Sequence, residues 1–230
     1  RLARGGIGQA GVEADPFEVW IDDWSLSGDW NTLRMTASGP DFSYEMDLTA
    51  QGPLIFHGAD GYSVKSAAGQ ASYYYSQPFF EIAGTLRLPE GDVAVTGNAW
   101  LDREWSSQPL ADDQTGWDWF SLSFDDGDKL MGFRLQQTDG AHFTSATWID
   151  ADGTTTPFSD GALTAIPLAT NDADVPIRWN VTLPRKGVDV TVSAINNDAW
   201  MATSVPYWEG PVTVTGTHTG VGYLEMTGYE

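Results

Sequence analysis

The chain has no cysteine, which excludes a disulfide scaffold, thiolate metal ligands and a cysteine nucleophile. Positive charge is scarce: 11 Lys and Arg stand against 32 Asp and Glu, a formal charge of -21. Such a field repels phosphate backbones and anionic lipid surfaces, so nucleic acid is set aside as a partner and neutral or cationic molecules are favoured. No run approaches the roughly 20 apolar residues that a membrane-spanning helix needs, and the opening RLARGGIGQAG carries no apolar signal core. The histidines, His57, His142 and His218, show no metal-ligand spacing. DDGD at 125–128 lacks the register and terminal Glu of a calcium loop. Neither a G-x-S-x-G elbow nor a phosphate-cradling glycine loop is found. No metal and no cofactor are therefore expected.

What the sequence has is period-two alternation rich in aromatic and β-branched residues, as in PFEVWID (16–22), FSYEMDLTA (42–50), ASYYYS (71–76), EIAGTLRL (81–88), VAVTGNAWL (93–101), WDWFSLSF (117–124) and IRWNVTL (177–183). Between such runs lie hairpin signals: DDGD (125–128), TDG (138–140), ADG (151–153) and PRKG (184–187). Many short strands joined by tight turns predict an all-β chain of antiparallel sheets closed as a barrel or packed as a sandwich. Gln77-Pro78 interrupts the strand pattern, which places a boundary near residue 78. Residues 79–230 suffice for a closed barrel, whereas about six strands in residues 1–78 make only a partial one.

Three stretches carry candidate chemistry. In GNAWLDREWSS (97–107), Trp100, Asp102 and Glu104 share one face of a strand, and Leu101, Arg103 and Trp105 the other. If the first face lines a barrel interior, two carboxylates about 7 Å apart sit beside an indole at low dielectric, and one of them stays protonated. The competing reading is a barrel rim, with Arg103 and Glu104 in surface pairs and Trp100 in the core. In GWDWFSLSFDDG (116–127), Trp117 and Trp119 lie opposite Asp118 and Phe120, as core bulk or as a π-lined wall. In SYYYS (72–76), Tyr73 and Tyr75 project opposite Tyr74, and buried phenols need partners.

Taken together, RGGIGQAG (4–11), FEVWIDDWSL (17–26), SYYYSQP (72–78), GNAWLDREWSSQPL (97–110), GWDWFSLSFDDG (116–127), LMGFRLQQTDG (130–140), YWEGPVTVTG (207–216) and GVGYLEMTGY (220–229) resemble the AttH/CrtC family. That group comprises lipocalin-like proteins described as predicted secreted hydrolases, together with carotenoid 1,2-hydratases. The resemblance implies two lipocalin-like (calycin) β-barrels, the first incomplete here because the family's amino-terminal Glu-Trp-Trp-Tyr segment is absent from this sequence. It also implies a periplasmic or secreted protein, open to membrane association through an upstream segment, whose amino-terminal part is absent, removed by processing or supplied as a separate fragment. The hydratase branch has an aromatic-x-Asp pattern that Trp100-Leu101-Asp102 fulfils. Its upstream His-x-Trp-like pair falls on Tyr73 and Tyr75, where phenols replace the group that titrates near neutrality.

Two functions follow as expectations. One is an acid-catalysed hydratase, hydrolase or isomerase acting on a hydrophobic small molecule such as an isoprenoid or lipid. In it Asp102 is the proton donor, Glu104, Tyr73 or Tyr75 orients water, and Trp100, Trp117, Trp119 and Asp118 form the ligand-binding wall. The other is a carrier in which the same aromatics hold a hydrophobic ligand without transforming it.

Overall fold

The computed structural model describes residues 1 to 229 apart from Leu2, Pro109 and Ser204. The strands are β1 (Ala10–Ala14), β2 (Phe17–Ile21), β3 (Trp24–Gly28), β4 (Thr32–Gly39), β5 (Phe42–Ala50), β6 (Ile55–Phe56), β7 (Tyr62–Val64), β8 (Ala71–Leu88), β9 (Gly91–Trp105), β10 (Gln114–Phe124), β11 (Lys129–Gln137), β12 (His142–Ile149), β13 (Thr155–Phe158), β14 (Thr164–Thr170), β15 (Pro176–Leu183), β16 (Val188–Ala194), β17 (Trp200–Met201), β18 (Tyr207–Gly216) and β19 (Gly220–Thr227). A single 3₁₀ turn, Pro184–Lys186, is the only helical element among the described residues. The predicted hairpin glycines Gly127, Gly140, Gly153 and Gly187 all have positive φ, the conformation for which a residue without Cβ is suited.

The chain divides into two compact units, Arg1–Leu54 with Gln77–Leu101 and Ile55–Ser76 with Asp102–Glu230. This differs from a single cut near residue 78, and the physical reason is that β8 runs unbroken through Gln77-Pro78. Pairing of β8 with β6 ends at Ser76 and pairing with β5 begins at Phe80. Along that edge the missing proline N–H therefore interrupts no ladder bond. The Gln77 side chain spans the gap: its amide donates to the Gly52 carbonyl at 2.9 Å and its oxygen accepts from the Phe79 N–H at 3.1 Å.

The first unit is an open antiparallel meander, β1 to β5 followed by β8, with β9 also pairing β8. Its core is small, Leu33, Met46, Leu48 and Phe80, with partly buried side chains such as Ile82 and Leu101 around it. In the second unit the strand order is β13-β12-β11-β10-β19-β18-β16-β15-β14. Alternation is clean: Trp179, Val181 and Leu183 on β15, and Val188, Val190 and Val192 on β16, point inward. Both ends of the strand path, through Phe158 and Ala165, feed the same core as the central strands. The sheet therefore curls upon itself as a lipocalin-like barrel, filled by Trp179, Trp208, Phe120 and their neighbours.

This filling matters for the site. On β10, Phe120 and Leu122 belong to the packed core, and Trp117 and Trp119 face the other way. Of the two readings of the acidic face, the interior of the second unit's barrel is not where the structure places it. A tightly packed interior leaves no room for a ligand, and a cavity of the second unit lies on the opposite face of β10, β11 and β19.

Candidate functional site

That cavity, of about 300 Å³, lies wholly within the second unit. Its walls are Trp117 and Trp119 of β10, Phe133 and Leu135 of β11, and Tyr74 of β8. Its acidic and basic groups are Asp102 and Glu104 of β9, Glu225 of β19, and Lys65 from the segment after β7. Antiparallel register sets Trp119 directly opposite Glu225, so one strand supplies the indole and its neighbour the acid. The β8 alternation turns Ser72, Tyr74 and Ser76 to the side of the carboxylates. Ser72 Oγ donates to Glu104 Oε1 at 2.5 Å, and Ser76 Oγ donates to Asp102 Oδ1. Two indole N–H groups fix the aromatic wall. Trp117 Nε1 donates to Glu225 Oε1 at 2.7 Å, and Trp119 Nε1 donates to the Tyr74 hydroxyl at 2.9 Å. Tyr74, itself buried, hydrogen-bonds Asp102 in turn.

The charges are arranged unevenly. Lys65 Nζ pairs with Glu104 Oε1 at 2.8 Å and lies 4.0 Å from the centre of the Phe133 ring. Burial lowers its pKa, against which Glu104 and Asp102 act. Burial raises Tyr74 far above the ordinary phenol value, helped by the same two carboxylates. Glu225 is pushed up to about 7, first by burial and also by the charges of Glu209, Asp102 and Glu104, with the Trp117 N–H opposing. Glu209 is its cross-strand partner. At neutral pH the cavity thus holds, in Glu225, a carboxyl that is about half protonated.

The raised Glu225 value has a consequence for stability. Folded protein holds this proton up to about pH 7 against an ordinary value of 4.5. The associated stabilisation is complete below pH 4.5 and is lost as pH rises to about 7. Glu225→Gln, whose amide oxygen still accepts from Trp117, is expected to be more stable than the wild type at alkaline pH, by about 3 kcal/mol. Urea melts should show the difference vanishing in acid.

Of the residues singled out from the sequence, Asp102, Glu104, Trp117 and Trp119 meet in this cavity. Tyr73 and Tyr75 do not: alternation puts them on the opposite face of β8, where both rings pack against Trp105 at about 6 Å and Tyr73 is more than half exposed. Asp118 is not in the wall either. It is fully buried on the core face of β10, bonded to Arg134 Nε at 2.7 Å and to the Tyr229 hydroxyl at 2.7 Å. Trp100 belongs to the first unit and is not among the residues lining the cavity. Sequence reasoning missed Tyr74, Lys65 and Glu225. For Glu225 a signal existed: it is an acid between Leu224 and Met226, whose opposite face must be core. Among the described residues, no group of three or more His, Cys, Asp or Glu is placed to hold a metal ion.

A family model described as AttH-like matches residues 1–229. The chain belongs to the AttH-like family. A crystal structure of a protein from Nitrosomonas europaea described as an AttH is similar to it at 33% identity and TM-score 0.85, covering 93% of this chain and 70% of that one. Kievitone hydratase from Nectria haematococca is similar in fold, with TM-score 0.75 at 16% identity, covering 91% of this chain and 69% of the hydratase. No curated protein matches this AttH-like chain.

Proposed function

We propose that this AttH-like protein is a cofactor-independent hydratase that adds water to a carbon–carbon double bond of a hydrophobic small molecule, an isoprenoid or an unsaturated lipid. One observation carries the reading: a carboxyl with a pKa of about 7, Glu225, shares an aromatic-walled cavity with Asp102, a carboxylate bonded by two hydroxyls. The hydratase named among the structural neighbours supports water addition as the class of reaction.

In this reading the proton donor is Glu225 rather than Asp102. The π electrons of the alkene take the Glu225 proton, forming a C–H bond and leaving positive charge on the other carbon. Trp117 and Trp119 stabilise that charge with their ring faces. A water oxygen then bonds to the cationic carbon, and its surplus proton passes to Asp102. Asp102 returns that proton to Glu225 through solvent, so the sum is one water added. Lys65 is matched by Glu104, and the excess of carboxylates disfavours substrates with an anionic head near the reacting bond. The family resemblance supports a periplasmic or secreted site of action, where an upstream segment would give access to membrane-borne substrates.

The test is incubation of purified protein with isoprenoid and unsaturated-lipid alkenes in heavy-oxygen water. One labelled hydroxyl per product is expected. Saturable binding of these ligands with no incorporation for any of them would overturn the reading and leave a carrier of hydrophobic ligands.

A further inference from the structure

His57 lies behind the cavity, fully buried, with its ring centre 4.2 Å from that of Tyr74. Its Nε2 is 2.7 Å from Ser76 Oγ, and the same oxygen bonds Asp102 Oδ1. Its Nδ1 is buried without a hydrogen-bond partner among the described residues. All four side chains belong to the second unit.

Ser76 has a single hydrogen, and this makes the chain of bonds directional. If the hydrogen goes to Asp102 Oδ1, the serine oxygen must accept from His57, which then carries its proton on Nε2. If Asp102 were the protonated group and donated to Ser76, the serine would turn its hydrogen to Nε2. The neutral ring's proton would then sit on Nδ1, a buried N–H with no acceptor. The first arrangement leaves only a lone pair unused, whereas the second strands a buried donor, the rarer and costlier defect. A doubly protonated ring is excluded, since burial and the nearby Lys65 push the imidazole down to about 3.

We propose that His57 is a positioning residue: through Ser76 it keeps a hydroxyl hydrogen directed at Asp102 Oδ1, so that this carboxyl serves as a proton acceptor facing the cavity. The proposal rests on the hydratase reading for its catalytic meaning, but the bond directions stand apart from it. The charged and titratable groups facing Asp102 and His57 are Lys65, Tyr74, Glu104 and Glu225. Asp102 therefore has Tyr74 and Ser76 as hydrogen-bond donors and shares the cavity with the carboxyls of Glu104 and Glu225. Hydroxyl donors favour the charged form of a carboxyl.

The decisive measurement needs no substrate. Nitrogen-15 correlation spectra of the wild type should show His57 protonated at Nε2 and bare at Nδ1 through the neutral range. A proton on Nδ1 would overturn the proposal. With a turned-over alkene in hand, Ser76→Ala and His57→Leu should each move the acidic limb of the kcat/KM–pH profile upward by about one pH unit, since Asp102 loses a charge-assisted bond. His57→Gln, with an amide donor in place of Nε2, should restore the wild-type limb. A limb unmoved by both removals refutes the positioning role. An Nε2 proton without turnover of any alkene would instead refute the hydratase while leaving the directed bonds to Asp102 in place.

Discussion

Asp102→Asn is expected to lower kcat for alkene hydration by about 10²–10⁴-fold, the usual contribution of a positioned acid or base, with little change in ligand affinity. The amide keeps the shape of the side chain, and its oxygen can still accept from Ser76 or Tyr74, but it has no basic oxygen to receive the proton of attacking water. Glu225→Gln should cost a similar factor for the opposite reason, since it removes the proton that starts the reaction. The two are told apart by pH. In the wild type, activity should fall on the alkaline side near pH 7 as Glu225 ionises. Asp102→Asn should retain that limb in its residual activity, and Glu225→Gln should lack it. Trp117→Ala should weaken both affinity and kcat, because the indole forms part of the wall and also bonds Glu225. Steady-state kinetics and equilibrium titration of one alkene decide the matter. A fully active Asp102→Asn protein would remove Asp102 from the chemistry.

The strands were legible because their alternation survives into the structure. β5 occupies the predicted FSYEMDLTA stretch at 42–50, and Trp117 and Trp119 do face away from Asp118 and Phe120. Alternation fixes which residues share a face, not which face meets a cavity. For that reason Tyr73 and Tyr75 were placed in a site that only Tyr74 reaches, and Asp118 in a wall that lies on the other side of its strand. Nor can periodicity foresee that β8 passes through Pro78, because that depends on a gap between two partner strands. Glu225 lies 123 residues after Asp102 in sequence, and only the β10–β19 register carries it to Trp119. His57 and Ser76 sit beside Asp102 through bonds whose pairing no local pattern specifies.

Arg134→Met is expected to be the most destabilising change in the second unit outside its apolar core. Asp118 has no exposure, and the Arg134 guanidinium is its counter-charge, with Nε at 2.7 Å. The same guanidinium donates to the Ala165 carbonyl at 3.2 Å and lies 4.7 Å from the Trp179 ring centre. Methionine fills much of the volume but supplies no charge. Asp118 would keep the Tyr229 hydroxyl at 2.7 Å and the Gln136 amide at 3.4 Å, too little to solvate an ion in that core. Removing one partner of a buried pair costs about 3–5 kcal/mol, and urea denaturation followed by tryptophan fluorescence should show a loss of that size at neutral pH. Burial already raises the Asp118 pKa against the opposition of Arg134, so without the guanidinium it rises further. A carboxyl whose folded value is raised favours folding in acid and loses that contribution as pH rises through it. The deficit of Arg134→Met should therefore shrink as pH falls. Adding Asp118→Leu should recover part of it at neutral pH, because the stranded charge is then gone. A deficit that is the same in acid and at neutrality, with no recovery in the double variant, would mean that Arg134 acts by packing on Trp179 and not as the counter-charge of Asp118.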